Sequence, residues 1–224
     1  MTDNTSANDA TAYDDAIVTQ LPYVGLFYQS AIDVVRAAVA APHRWLDTGC
    51  GTGTLCALAK SEFPNVEFTL ADPSQPMLDV ARAKLGSTDQ ITYSRSDSSS
   101  LAFTDGSFDV ITAIQCHHYL DEPARAATTR NCWRMLRPGG LYVEFENIRP
   151  LTPQGLQIGM QMWTTFQSNA GRTPDQITQH TNRFDTAYFP LTIPQHLELL
   201  KQSGFSAAEV LWASHLQAGF YAVK

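Results

Sequence analysis

The stretch best suited to ligand binding is an acid followed by three glycines at alternate positions: Asp47, Gly49, Gly51 and Gly53. Glycine lets the backbone turn sharply and approach a ligand with no Cβ in the way. Apolar residues recur at helical spacing after the turn, so it opens onto a helix whose free N–H groups face the ligand. A dinucleotide fingerprint would need glycine where this chain has Thr54, and a plain tight turn between strand and helix is the alternative.

A second acid, Asp72, ends an alternating apolar stretch over residues 66–72 that predicts a strand. Asp72 lies about twenty residues past the glycine turn, the length of one helix and one strand, which brings its carboxylate beside the glycine loop. A carboxylate there can accept hydrogen bonds from both hydroxyls of a ribose. A solvated aspartate at a strand end is the alternative.

Two adjacent histidines, His117 and His118, follow a predicted strand over residues 109–116. Ligands of open α/β sheets bind at the carboxyl edge, where this strand also delivers Gln115. A neutral imidazole can take a proton from a hydroxyl or an amine. The two side chains cannot both point inward on extended backbone, so one is a candidate base or substrate-orienting residue. The alternative is that the pair packs against or caps the next helix.

The order of predicted elements is that of an α/β domain in which strands alternate with helices. A first apolar strand precedes the glycine turn, and a helix from Asp121 to Arg137 is stopped by Pro138. The chain ends in two strands joined by a short turn, which predicts an antiparallel hairpin. The other predicted segments are strands at residues 91–97, 109–116 and 141–145, a helix at 194–202, and hairpin strands at 208–214 and 219–223.

Three segments resemble motifs of the class I methyltransferases that depend on S-adenosylmethionine (SAM): residues 47–53, 103–111 and 136–140. The resemblance covers nearly the whole chain. It implies an α/β, Rossmann-like fold with a seven-stranded, mostly parallel sheet, an antiparallel C-terminal hairpin and SAM as the cofactor. It also places Asp97 against the adenine amino group, although Asp-Ser-Ser-Ser is ordinary loop chemistry too. The residues expected to bind SAM are Asp47, Gly49, Gly51, Gly53, Asp72, Asp97, Ser98 and Gln115.

Two helical regions outside the sheet are expected to cover the ligand: an N-terminal helical cap over residues 12–41 and a helical lid insertion over residues 147–193. In the family that this chain resembles, such additions cover the cofactor and contribute to the substrate pocket, and an apolar lid excludes water from the sulfonium. Packing of the aromatic side chains into the core is the alternative. The candidate substrate-binding residues are Tyr13, Tyr23, Tyr28, Trp163 and Tyr188.

The C-terminal part, from residue 175 onward, resembles the synthase family that makes carboxy-SAM. In that family an arginine matching Arg183 grips the carboxylate of the modified cofactor, in some members across a dimer interface. Arg183 can hold such a carboxylate, or that of an acidic substrate, by a bidentate fork, and a surface arginine on a lid helix is the alternative. Arg183 therefore joins His117 and His118 as a candidate catalytic residue, and a homodimer is left open.

Composition limits the other functions. The chain has 224 residues, enough for one domain with a buried core, expected over residues 12–224 after a disordered tail at 1–11. A net charge of −7 with only 15 basic residues argues against a broad nucleic-acid surface. The four cysteines form no C-x-x-C pair, so neither a zinc site nor a disulfide framework is indicated, and no metal site is expected. The N-terminus lacks signal-peptide features and no segment reads as a membrane span, so a cytoplasmic location is expected.

We expect an enzyme that transfers a methyl group from SAM to a small-molecule acceptor, without a nucleic-acid or membrane partner. Two alternatives stay open: a carboxy-SAM synthase-like enzyme that uses SAM and prephenate, and a non-catalytic SAM-binding module that regulates a partner. The sequence does not predict the acceptor atom, since O, N, S and C nucleophiles are all methylated on this scaffold.

Overall fold

The computed structural model describes residues 9–224 and contains one seven-stranded sheet. Its strands are β1 (Arg44–Thr48), β2 (Glu67–Asp72), β3 (Ile91–Arg95), β4 (Phe108–Ile114), β5 (Leu136–Asn147), β6 (Ala207–Ser214) and β7 (Gln217–Val223). They lie in the order β3-β2-β1-β4-β5-β7-β6. The first five are parallel, and β7 runs antiparallel between β5 and β6. The predicted α/β fold with a C-terminal hairpin is confirmed.

The helices begin where the sequence offers polar caps. They are α1 (Tyr13–Gln20), α2 (Val24–Ala38), α3 (Thr54–Glu62), α4 (Gln75–Leu85), α5 (Glu122–Met135), α6 (Pro153–Asn169), α7 (Pro174–Thr181) and α8 (Ile193–Gln202). From α4 to α8, each helix has a serine, aspartate or threonine N-cap that accepts a backbone N–H bond, and a proline in its first turn. Both features stabilise helix starts.

Two apolar layers cover the sheet, because successive strand side chains point to opposite faces. On β1, Trp45 belongs to the cluster that includes α2 residues, whereas Leu46 belongs to the cluster that includes Met135 and Leu200. The first layer also contains Trp163 from α6. The second layer packs α5 and α8 against the other face.

The boundary between α5 and β5 differs from the sequence prediction. Helix α5 ends at Met135, and β5 begins at Leu136, so the Leu-x-Pro-Gly-Gly segment lies inside the strand. The pairing of β5 with β4 shifts register between Phe108 and Val110, which accommodates the irregular segment. A Cβ at Gly140 would lie 3.1 Å from the carbonyl oxygen of Asp109, so only glycine allows this close approach.

The predicted disordered tail falls mainly on residues 1–8, which lie outside the described residues. Ala10 and Thr11 belong to a 3₁₀ turn, Ala10–Ala12, that Asp9 caps. Within residues 9–224, none of the helices has both the length and the apolar character to cross a membrane.

Candidate cofactor and acceptor site

The glycine loop between β1 and α3 has backbone angles that favour glycine. Gly49, Gly51 and Gly53 have φ values of +69°, +53° and +75°. A Cβ at Gly49 would collide with the side chain of Cys116, and one at Gly53 would lie 2.9 Å from Leu85. Gly51 differs, because a Cβ there would meet nothing within 4 Å. The middle of the loop therefore presents bare backbone to open space.

Asp72 fastens this loop to the end of β2. One carboxylate oxygen accepts a hydrogen bond from the N–H of Gly51, and the other accepts one from the N–H of Ser74, both at 2.9 Å. Asp72 is 7% exposed, so it is not the solvated strand-end acid of the alternative interpretation. Asp72 therefore ties the middle of the glycine loop to the carboxyl end of β2.

A cleft of about 200 Å³ lies at the carboxyl edge of β1, β2 and β4, the edge where ligands bind in such sheets. Gln115 lies in it with a left-handed φ of +56°, and its Nε2 is buried with no hydrogen-bond partner among the described residues. This orphaned donor suits a ligand with acceptor atoms. The predicted cofactor residues that line the cleft are Gly49, Gly51, Asp72, Asp97, Ser98 and Gln115.

The other two predicted cofactor residues lie elsewhere. Asp47 lines a smaller adjoining cavity of about 30 Å³, together with Tyr28 and the glycine loop. Burial raises the pKa of Asp47 to about 7, although a hydrogen bond from Thr112 lowers it, and nearby Asp72 raises it as well. Gly53 packs against α4 and contributes only to the shape of the loop.

A second cavity of about 30 Å³ adjoins the cleft. Tyr13, Gln115 and Tyr119 line both spaces and form a shared wall. The lining is mostly polar, unlike the hydrophobic layers beneath it. Its remaining residues are Ile17, Gln20, Leu21, His118, Asn147, His180, Arg183 and Tyr188.

The two histidines point to different places because His117–Tyr119 form a 3₁₀ turn rather than extended backbone. His118 lines the second cavity, with Nδ1 hydrogen-bonded to Glu146. His117 is 1% exposed, and its Nδ1 lies 3.1 Å from the hydroxyl of Tyr142. Burial lowers the pKa of His117, and the nearby acids oppose this only in part. Of the two histidines, His118 lines the second cavity, and His117 lines neither that cavity nor the cleft.

Comparisons with known proteins agree with this geometry. A sequence model of the methyltransferase domain matches residues 46–140. Carboxy-S-adenosyl-L-methionine synthase from Trichodesmium erythraeum is 27% identical over 98% of this chain and 87% of its own length. Demethylmenaquinone methyltransferase from Thermus thermophilus is 34% identical over 56% of this chain and 54% of its own.

Together these similarities indicate a class I SAM-dependent methyltransferase, with the matched domain over residues 46–140 of the chain.

A solved structure shows the same fold for a methyltransferase with product bound. Phosphoethanolamine N-methyltransferase 2 from Haemonchus contortus, in complex with S-adenosylhomocysteine, superposes with a TM-score of 0.65 at 18% identity. The match covers 96% of this chain and 57% of the larger protein. The match to the methyltransferase domain and the product bound in this neighbour together indicate SAM as the cofactor.

The predicted substrate-binding residues of the methyltransferase divide into two groups. Tyr13 and Tyr188 line the second cavity, and Tyr28 lines the small cavity beside Asp47. Tyr23 is 53% exposed and packs against Trp212 and His215. Trp163 is fully buried and donates a 2.7 Å hydrogen bond to the carbonyl of Gln20. The structure does not bring Tyr23 and Trp163 to the second cavity.

Arg183, the third candidate catalytic residue, lies at the second cavity of the methyltransferase. Its guanidinium lies 5.9 Å from the ring centroid of Tyr119. Burial raises the pKa of Tyr119, while the neighbouring Arg183 lowers it. A guanidinium at this wall favours an acceptor, or a cofactor group, that carries negative charge.

Sequence reasoning missed three residues around this cavity: Gln20, Glu146 and Asn147. A signal for two of them was available, because Glu144-Phe145-Glu146-Asn147 places polar residues at the end of an otherwise apolar strand. Buried charges are uncommon without partners and point to a built site. Gln20 gave no comparable signal.

Three buried residues, His117, Glu144 and Glu146, place possible metal-ligand atoms within 4.8 Å of one another. Protein donors already occupy the two carboxylates. Glu144 accepts from the hydroxyl of Tyr142 at 3.0 Å and lies 2.9 Å from Nδ1 of His196. Glu146 accepts from the backbone N–H groups of His117 and His118 at 2.9 and 3.0 Å. A cation would have to displace these bonds, so we assign no metal ligands here.

Proposed function

We propose that this protein is an enzyme that transfers a methyl group from SAM to a small molecule bound in the second cavity. The observation that carries this proposal is the wall of Tyr13, Gln115 and Tyr119, which the cofactor cleft and the second cavity share. When bound, SAM supplies an electrophilic methyl group on a sulfonium. A small acceptor beside that wall would be held in line with it, and such alignment accounts for much of the acceleration in methyl transfer.

The lining of the second cavity supports a polar acceptor. The cavity itself has about 30 Å³, so such an acceptor would reach into it from the adjoining cleft. Its hydrogen-bonding groups include Gln20, Asn147 and His180, and Arg183 adds a positive charge. An acceptor with hydroxyl or amine groups and an acidic substituent fits this lining.

His118 is the proposed base for an acceptor that must lose a proton. Its imidazole borders the cavity and is 2% exposed, so bulk water has little access to it. As the acceptor atom gains the methyl group, its proton passes to the imidazole, which becomes positively charged. A proton transfer of this kind contributes about 10² to 10⁴ in rate.

A carboxy-SAM synthase-like reaction, with SAM and prephenate, is the second candidate. Two observations favour it: the Trichodesmium synthase aligns with 98% of this chain, and Arg183 stands at the cavity where a carboxylate would be held. The two candidates differ in what the protein does to SAM, so they can be separated directly.

The test begins with mass spectrometry of the small molecules that copurify with the protein. We expect SAM or S-adenosylhomocysteine, whereas carboxy-SAM would favour the synthase. Methyl-labelled SAM is then incubated with the protein and a library of small acidic hydroxyl and amine compounds. We expect label in at least one acceptor, and turnover lowered about 10²-fold or more in His118→Ala but less than about threefold in His117→Ala. SAM binding without label transfer to any compound would contradict the proposal and favour a regulatory module.

A further inference from the structure

We propose that Glu146 is a positioning residue that keeps the proton of His118 on Nδ1, so that the unprotonated Nε2 borders the second cavity. The catalytic consequence rests on the proposed function, but the tautomer itself does not. The inference concerns a residue that the cofactor motifs do not include, because Glu146 lies at the far end of β5 and lines neither cavity.

Glu146 is bound to the histidine turn at three points. Its carboxylate accepts the backbone N–H groups of His117 at 2.9 Å and of His118 at 3.0 Å. The third contact is the short hydrogen bond to Nδ1 of His118. Glu146 is fully buried and His118 is 2% exposed, so water cannot replace either partner. This arrangement fixes both the place of the imidazole and its rotation.

The charge of Glu146 decides which atom of the Nδ1 contact carries the proton. Burial raises the pKa of Glu146, but the attraction of His118 and its hydrogen bonds outweigh burial and bring the pKa to about 2. The carboxylate is therefore ionised at neutral pH and can only accept. Nδ1 of His118 must then be the donor, in the same way that an aspartate sets the histidine tautomer in a serine protease.

Asn147 gives independent support for the same tautomer. Its Oδ1 accepts a hydrogen bond from Nε2 of Gln217 at 3.1 Å, so its Nδ2 is the group that lies 3.4 Å from Nε2 of His118. A donor on Asn147 requires an acceptor on the imidazole, which is Nε2 without its proton. The contact is long, so an acceptor molecule in the cavity can compete for this lone pair.

Other charged or titratable groups surround His118, and they bear on its pH response. None of them contacts Nδ1 in the hydrogen bonds described for residues 9–224. They are His117 on the same turn, Arg125 bonded to the His118 carbonyl, the phenols Tyr13, Tyr119 and Tyr188, and His180 and Arg183 at the cavity.

In the transfer step, Glu146 stabilises the charge that His118 acquires. When the acceptor atom takes the methyl group from the sulfonium, whose carbon–sulfur bond breaks to leave S-adenosylhomocysteine, its own proton binds to Nε2 of His118. The imidazole then carries protons on both nitrogens and one positive charge, and the carboxylate of Glu146 balances it within the buried pair. Glu146 neither gains nor loses a proton.

The first test needs no variant. Long-range ¹H–¹⁵N NMR of the ¹⁵N-labelled full chain reports the protonation of each histidine nitrogen, and His118→Gln identifies the His118 signals. With the imidazole neutral, we expect a proton on Nδ1 and none on Nε2. A His118 with its proton on Nε2 would overturn the inference, whatever the outcome of the activity tests.

The second test compares Glu146→Gln with Glu144→Gln. Both residues are buried on the same face of β5, but Glu144 binds Tyr142 and His196 and not His118. In Glu146→Gln we expect the Nε2-protonated form of His118 to rise several-fold and kcat to fall several-fold with little change in KM. Glu144→Gln should change neither. Equal effects in the two variants, or none in Glu146→Gln, would contradict a positioning role.

The two tests separate this inference from the proposed function. If no acceptor is methylated while His118 keeps its proton on Nδ1, the proposed reaction fails and the role of Glu146 in setting the tautomer stands. If methylation occurs and depends on His118 but the proton lies on Nε2, the reaction stands and the inference fails. Should Glu146→Gln fail to fold, the wild-type spectrum alone decides.

Discussion

Asp47 and Asp72 flank the glycine loop, and their carboxylates are satisfied in different ways. Asp72 accepts two backbone N–H bonds, whereas the bond described for the carboxylate of Asp47 comes from the hydroxyl of Thr112 at 2.7 Å. Asp47 is 3% exposed, and burial brings its pKa to about 7. In the absence of a cationic ligand, its charged form is therefore costly to the folded protein.

The first prediction concerns stability and pH at Asp47. Its folded pKa lies above the ordinary value of 3.8, so its stabilising contribution is complete below that value and is lost as pH rises through about 7. Asp47→Asn removes this loss of stability with rising pH, because the amide does not ionise, and it keeps an oxygen that accepts the hydrogen bond from Thr112. We expect the free energy of unfolding of the variant, relative to wild type, to increase by about 3 kcal/mol between pH 5 and pH 8. Urea denaturation of wild type and variant at pH 5 and pH 8 measures this change. If the two proteins differ in unfolding free energy by the same amount at both pH values, the expectation is contradicted.

The second prediction concerns the proposed contact of Asp72 with the ribose. Asp72→Ala removes a carboxylate that holds the loop and faces the cleft, so we expect SAM binding to weaken by about 1–3 kcal/mol. Isothermal titration calorimetry measures the change. Asp79→Ala is a suitable control, since Asp79 lies on α4 in an exposed ion pair with Arg82. If Asp72→Ala and Asp79→Ala bind SAM with the same affinity, the contact of Asp72 with the ribose is ruled out.

Helix α1 is tied to the glycine loop through one side chain. Asp14 accepts hydrogen bonds from the hydroxyl of Thr52 at 2.5 Å and from Lys84 at 2.7 Å, and Thr54 lies 3.2 Å away. Partial burial raises the pKa of Asp14, but the bonds from Lys84 and Thr52 outweigh it and hold the pKa below its ordinary value. Because Tyr13 precedes Asp14, this contact also fixes the wall between the two cavities.

We therefore expect Asp14→Ala to loosen α1 over the cleft. Amide hydrogen exchange in residues 13–20 should quicken, and SAM should dissociate several-fold faster in stopped-flow experiments, since opening of a covering element often limits release. Asp15→Ala, on the exposed side of the same helix, should match wild type. Unchanged exchange and dissociation in Asp14→Ala would show that α1 is held by other contacts.

Trp163 anchors helix α6 to the N-terminal helices. The indole is fully buried, donates to the carbonyl of Gln20, and packs 5.0 Å from the ring centroid of His180. For Trp163→Phe we expect a loss of about 2–4 kcal/mol in unfolding free energy, from a missing hydrogen bond and a smaller ring. Met162→Ala, at a half-exposed position on the same helix, should cost less than about 1 kcal/mol. If Trp163→Phe keeps the stability of wild type but binds the acceptor more weakly, Trp163 is instead a substrate contact.

At the scale of the whole molecule, the cofactor half of the site could be predicted and the acceptor half could not. The glycine loop is contiguous in sequence, and Asp72 follows it at a distance set by one helix and one strand. The second cavity instead gathers side chains from Tyr13 to Tyr188, on four parts of the chain. No local sequence pattern predicts that these side chains come together.

The histidines show the same limit. Sequence reasoning left His117 and His118 equivalent, because their different orientations depend on a 3₁₀ turn. That turn is held by Glu146, which is 28 residues from His118 in sequence. In the same way, Tyr23 resembled the other cap tyrosines in sequence, but it faces Trp212 and His215 near the end of the chain.

The most direct test of the account is a crystal structure of the protein with S-adenosylhomocysteine. The account predicts that the ribose hydroxyls bond to Asp72 and that the sulfur lies at the wall of Tyr13, Gln115 and Tyr119, facing the second cavity. A product molecule bound outside the cleft, or one whose sulfur faces away from that cavity, would contradict it.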